Sequence, residues 1–157
     1  MKHVTRRDFV KNAAVTGAGL AAFNILGAQS SNGVHTGKIK VGLIGCGGPG
    51  NGALSNFIEA AQMLGISVEV VAVADAFENS AKGVANRYQV HHSRAHHGFS
   101  AYKEVANSDA EVVLMATPPS FRPLHFEACV QAGKHCFIEK PVAVDPVGAR
   151  QVIATGE

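Results

Sequence analysis

Three cysteines in 157 residues are too few, and the wrong parity, for a disulfide framework. Cys46 falls in a glycine turn, Cys129 on a helix face and Cys136 inside a strand, so they read as small buried apolar residues. A membrane-spanning run is missing as well. The mildly apolar stretch from Ala13 to Gly27 falls short of the ~20 residues a span needs. There is no internal repeat and no low-complexity tract past the N-terminus, which excludes solenoids and arrays.

The N-terminus carries an address. Thr5-Arg6-Arg7-Asp8-Phe9-Val10-Lys11 is a twin-arginine pattern, followed by the Ala/Gly-rich run and by the small residues Ala28-Gln29-Ser30. It resembles a bacterial Tat signal peptide. The competing reading, an amphipathic helix of the mature protein, lacks a charged face. The expectation is a leader over 1–30, a polar Gly-containing linker over 31–38, and a periplasmic or otherwise exported protein. Without the leader, 10 of the 14 Lys and Arg and 11 of the 12 Asp and Glu remain. The apparent basic excess thus belongs to the address, and nothing argues for a nucleic-acid partner.

The remaining 39–157 segment suffices for one core. Short strands apolar on both faces, expected at 39–44, 68–74, 111–116 and 135–138, alternate with helices expected at 51–63, 78–87, 100–106, 122–132 and 146–155. That alternation predicts an α/β fold, a Rossmann-type parallel sheet covered by helices on both faces. Gly133 reads as a helix stop, and Asp145-Pro146 as an N-cap with a first-turn proline.

The chain is organised around Lys40 to Gly52, KVGLIGCGGPGNG. An apolar strand breaks into Gly45-x-Gly47-x-x-Gly50, the spacing of a dinucleotide-binding turn. Gly45 permits the tight turn, and Gly47 lets backbone approach a pyrophosphate. Gly50 lets the next helix, beginning near Asn51 after Gly48-Pro49, sit close to the strand with its N–H groups facing the phosphates. An isolated match is equally an ordinary turn. Here a buried-type strand precedes it, and a second strand ends at Asp75, placed to accept hydrogen bonds from ribose hydroxyls. The gap from Gly50 to Asp75 exceeds the usual ~20 residues, which a long first helix explains.

Two further loops end strands on the same sheet edge. Ala116-Thr117-Pro118-Pro119 is either a rim of the ligand crevice or a plain turn. Glu139-Lys140-Pro141 puts a carboxylate and an ammonium there, for substrate chemistry or as an ordinary surface pair.

Together GLIGCGGPG, VVAVAD, VVLMATPP and, most specifically, AGKHCFIEKP (132–141) resemble the N-terminal half of the Gfo/Idh/MocA family, which includes glucose–fructose oxidoreductase and inositol dehydrogenase. The resemblance implies that Gly45, Gly47 and Gly50 cradle pyrophosphate and Asp75 holds the ribose, with Gly48 and Asn51 also among the cofactor-binding residues. It places Thr117, Pro118 and Glu139 near the nicotinamide and makes Lys140 the catalytic residue. The implied cofactor is NAD, because Asp75 would repel the 2′-phosphate of NADP, although NADP is open. The implied function is an oxidoreductase acting on a sugar or cyclitol hydroxyl, in a homo-oligomer. Alternatives are cofactor-assisted glycoside cleavage and a non-catalytic nucleotide-binding module. The family's second domain, which carries the substrate pocket, is not in these residues, so the chain reads as a truncated cofactor domain. Where the family often has His five residues after the Thr, this chain has Arg122, with His125 a turn later; no His role carries over.

His91-His92-Ser93-Arg94-Ala95-His96-His97 brings four imidazoles into seven residues. Without Cys or carboxylate partners it reads as a solvated loop rather than a metal site.

Overall fold

A computed structural model describes residues 38–157; the expected leader and residues 31–37 of the expected 31–38 linker lie outside the described residues. Lys38, expected in the linker, instead opens the first strand, where it pairs with Ser67. The elements are β1 Lys38–Ile44, α1 Gly48–Met63, β2 Ser67–Asp75, α2 Glu78–Arg87, β3 Ala95–His97, α3 Tyr102–Ala106, β4 Val112–Met115, α4 Arg122–Gln131, β5 His135–Ile138 and α5 Pro146–Gly156. The sheet order is β3-β2-β1-β4-β5, and every pairing is parallel. This is the expected Rossmann-type α/β sheet.

Strand side chains alternate between two cores. Val41, Leu43, Val73 and Leu114 point to one face, where Leu54 of α1 and Val84 of α2 cover them. Ile44, Ala72, Val113 and Met115 point to the other, against Tyr102 and Val105 of α3 and Cys129 of α4. Burial on both faces is why β4 and the later halves of β1 and β2 are apolar up to Asp75, while Lys38, Lys40, Ser67 and Glu69 fall in the less buried first halves. Each large aliphatic side chain taken from water contributes about 1.5–3 kcal/mol. The chain runs outward from β1 to β3 and then crosses back to β4. The carboxyl ends of β1 and β4 therefore diverge in connection, and a crevice opens there.

Two further expectations require correction. The first helix starts at Gly48 rather than Asn51. Pro49 has the fixed φ of a first helical turn and needs no N–H partner, Gly47 serves as N-cap, and Asn51 N closes the turn on Gly47 O at 2.9 Å. The histidine-rich stretch is not wholly loop. A short 3₁₀ turn, His92–Arg94, leads into β3, whose Val73↔Ala95, Ala74↔His96 and Asp75↔His97 pairs add a fifth strand. Three residues are too few to show strand periodicity. No group of three or more His, Cys, Asp or Glu among the described residues is placed to hold a metal ion. No helix among them is long and apolar enough to cross a membrane.

The other punctuation falls as expected. Gly133 adopts φ +71 after α4, and the Asp145 carboxylate accepts from Gly148 N at 2.7 Å to cap α5. All three cysteines are free thiols, with Cys46 and Cys129 buried.

Candidate cofactor site

The turn after β1 is built by close approach. Gly45 has φ +96, and a Cβ there would lie 2.8 Å from both Ala116 C and Thr117 N, so the turn also touches the loop after β4. At Gly50 a Cβ would fall 1.8 Å from Gly45 O, a distance no side chain survives. Helix α1 is thereby pressed directly onto the turn. By contrast, nothing but Pro49 Cδ, at 3.9 Å, approaches a Cβ position on Gly47, and nothing lies within 4 Å of one on Gly48. No side chain caps α1. Its N-terminus thus presents bare main chain and the positive end of a helix dipole, which is what a pyrophosphate requires.

Asp75 locks this turn to β2. Its Oδ2 accepts from Cys46 N at 2.7 Å, and its Oδ1 accepts from Phe77 N at 2.9 Å. Each oxygen keeps a second acceptor site for a hydroxyl. The Cys46 Sγ faces Ala74 O at 3.5 Å. Burial, with the Asp75 carboxylate beside it, pushes the thiol up to about 12, so Cys46 is no nucleophile. The Asn51 amide donates to Cys46 O at 2.8 Å and to Gly47 O at 3.2 Å. Asn51 therefore holds the turn in shape from below.

Gly45, Gly47, Asp75, Thr117 and Pro118 line one crevice of about 370 Å³, within the size range of small-molecule clefts. Its far wall is aromatic: Phe77 and Phe99 are mostly exposed on the lip, and Phe121, Tyr102 and His125 stand behind. Phe99 and Phe121 lie 5.9 Å apart between centroids, and His125 stacks on Tyr102 at 4.4 Å. Apolar ring faces beside the Asp75 carboxylate suit a purine. Glu139 lies outside this crevice, in a second groove of about 450 Å³ shared with Phe57 of α1 and Phe137 of β5. Lys140 is exposed and lines neither.

Two side chains that the sequence reading did not place belong to the site. His125 is buried, and its Nδ1 lies 3.2 Å from Thr117 Oγ1. Burial lowers its pKa to about 4, so the ring is neutral near pH 7 and can fix the Thr117 hydroxyl. Arg122 is also buried. Its Nε donates to Thr117 O at 2.7 Å, and its Nη1 donates to Glu139 O and Pro141 O. The only advance signal for either was position: they follow Thr117 by five and eight residues.

A family model described as Oxidoreductase family, NAD-binding Rossmann fold (Gfo/Idh/MocA) matches residues 39–157. The chain belongs to this family. On the geometry above, the glycine turn, Asp75 and the crevice fit an NAD cofactor. A glycosyl hydrolase family 109 protein from Solibacter usitatus is 28% identical over 153 residues, 91% of this chain and 34% of its own length. The solved structure of a 3-ketoreductase, KijD10 from Actinomadura kijaniata, with TDP-benzene and NADP, is 26% identical. It superposes with a TM-score of 0.59 over 76% of this chain and 35% of its own. The WlbA dehydrogenase from Bordetella pertussis, with NADH and UDP-GlcNAcA, gives 0.60 at 24% identity over 76% and 33%. That last likeness speaks to the fold. The Gfo/Idh/MocA chain described here spans about a third of the length of these proteins.

Proposed function

We propose that this domain serves an exported oxidoreductase that acts on a sugar or cyclitol hydroxyl by hydride transfer. The observation that carries it is the meeting, in one crevice, of a bare helix N-terminus, the Asp75 carboxylate and the Thr117-Pro118 loop. Bound nicotinamide supplies a two-electron hydride acceptor or donor. The residues of this chain do the rest. Main-chain N–H groups of the turn hold the diphosphate, Asp75 accepts from the adenosine ribose, and the Thr117 loop borders the nicotinamide riboside. Lys140, at the tip of the β5 loop, takes up or holds the proton of the reacting hydroxyl. The substrate class is supported by the glycosyl hydrolase family 109 relative, whose name is sugar-related. Export is supported by the twin-arginine segment.

The test is titration of NADH into the full chain, matured at its N-terminus, followed by nicotinamide fluorescence. Saturable binding is expected, stronger for NADH than for NADPH because of Asp75. No detectable affinity for either would defeat the reading. A second reading, cofactor-assisted glycoside cleavage, is favoured by the glycosyl hydrolase family 109 relative. Aryl-glycoside hydrolysis that depends on added NAD but leaves no net NADH would favour it over sugar oxidation.

A further inference from the structure

Among the described residues, two polar or charged side chains are buried, Arg122 at 5% exposure and His125 at 6%. Both hang from the first turn of α4, and both grip the loop that follows β4. Arg122 is the less expected of the pair. A guanidinium at the start of a helix faces the positive end of the dipole, where a cation is disfavoured. Burial further disfavours its charge, and it forms no salt bridge among the described residues. Its donors go instead to three main-chain oxygens: Thr117 O after β4, and Glu139 O and Pro141 O on either side of Lys140. Those carbonyls belong to two different loops, and the planar fork meets both at once. A lysine, with one point charge and a tetrahedral head, cannot reproduce that span.

We infer that Arg122 is a positioning residue that sets the spacing between the Thr117-Pro118 loop and the Glu139-Lys140-Pro141 loop, and so defines the nicotinamide end of the crevice. The inference rests on the cofactor reading above. It goes further, because it assigns the register of the two loops to a single side chain that contacts neither cofactor nor substrate. The adenosine side depends on Asp75, held by Cys46 N and Phe77 N, contacts in which Arg122 takes no part. The two ends should therefore respond separately.

The experiment compares AMP, which reports the adenosine end, with NADH on the full chain carrying Arg122→Met and, separately, Arg122→Lys. The expected result is an AMP affinity within about twofold of wild type and an NADH affinity at least about tenfold weaker. Bound-NADH emission should move toward that of free cofactor. Hydrogen exchange should rise together in residues 117–122 and 139–145. Arg122→Ala should regain part of its NADH affinity when guanidinium ion is added at low concentration, since the ion can refill the vacated fork. Arg122→Lys serves where the Met variant fails to fold, and the same split is expected. Unchanged NADH affinity and emission in a folded variant would overturn the inference, as would equal losses of AMP and NADH. Wild-type chain that binds neither ligand overturns the cofactor reading itself, which separates the two failures.

Discussion

Gly45, Gly47 and Gly50, three glycines within six residues, are asked to do different things, and substitution separates the last two. Gly50→Ala drives a methyl into Gly45 O, so α1 must shift. The expected effect is about 3 kcal/mol of lost stability together with lost NADH binding. Gly47→Ala meets almost nothing in the protein, so melting should change by no more than about 0.5 kcal/mol. Its NADH affinity should nonetheless fall at least about tenfold, because the methyl occupies the side from which a diphosphate approaches. Paired thermal melts and fluorescence titrations check both, and a Gly47→Ala chain that binds NADH normally would remove the diphosphate from this turn. Much of this was legible in the sequence, since a Gly-x-Gly-x-x-Gly turn between an apolar run and a helix carries its geometry in its composition. The contact of Gly45 with Ala116 and Thr117 was not legible, because it depends on β4 lying beside β1 across a gap of about seventy residues. For the same reason Arg122 and His125 could not be assigned from sequence: a buried arginine and a surface one look alike until the carbonyls around them are known. Asp75 was placed by its position at the end of β2, but its bonds to Cys46 N and Phe77 N add a structural duty. Asp75→Ser should bring NADPH affinity closer to that of NADH by removing the charge. It should also cost about 1 kcal/mol, as two backbone donors lose a carboxylate partner.

At the scale of an element, α4 is the one most sensitive to its surroundings. It holds a buried His125 between Tyr102 and Thr117. Burial holds this imidazole pKa at about 4, against an ordinary 6.5. The unfolded chain therefore binds more protons than the folded one between those values, and stability must rise with pH across that window. The contribution is complete above about pH 6.5 and is lost as pH falls toward 4, to a limit of about 3 kcal/mol. Melting temperature should drop over this range in wild type and drop measurably less in His125→Gln, whose amide can still reach Thr117. Parallel pH dependences in the two proteins would show that the histidine is not titrating in this way. Elements with strong terminal chemistry were readable in advance: α5 begins where Asp145-Pro146 says it should, and α2 spans its expected residues. The misses were at weaker signals. Pro49 drew α1 back to Gly48, and β3 owes its existence to pairing with β2 rather than to any periodicity of its own.

Taken whole, the sheet of the described residues ends in two unlike edges. On one side β3 is three residues long and bears two histidines, a poor template for another strand. On the other, β5 pairs only with β4, and the ring of Phe137 is 49% exposed in the groove between β5 and α1. The open hydrogen-bonding groups of β5 and that exposed ring make this side the adhesive one. Self-association of the chain should therefore grow with concentration and run through β5. Phe137→Glu puts a charge on the edge without touching the crevice that holds Asp75 and Thr117, so it should lower the association while AMP affinity stays unchanged. Sedimentation velocity over a concentration series, on both proteins, reads this directly. A wild-type chain that sediments as a monomer throughout would mean that the β5 edge is too short or too twisted to recruit a partner.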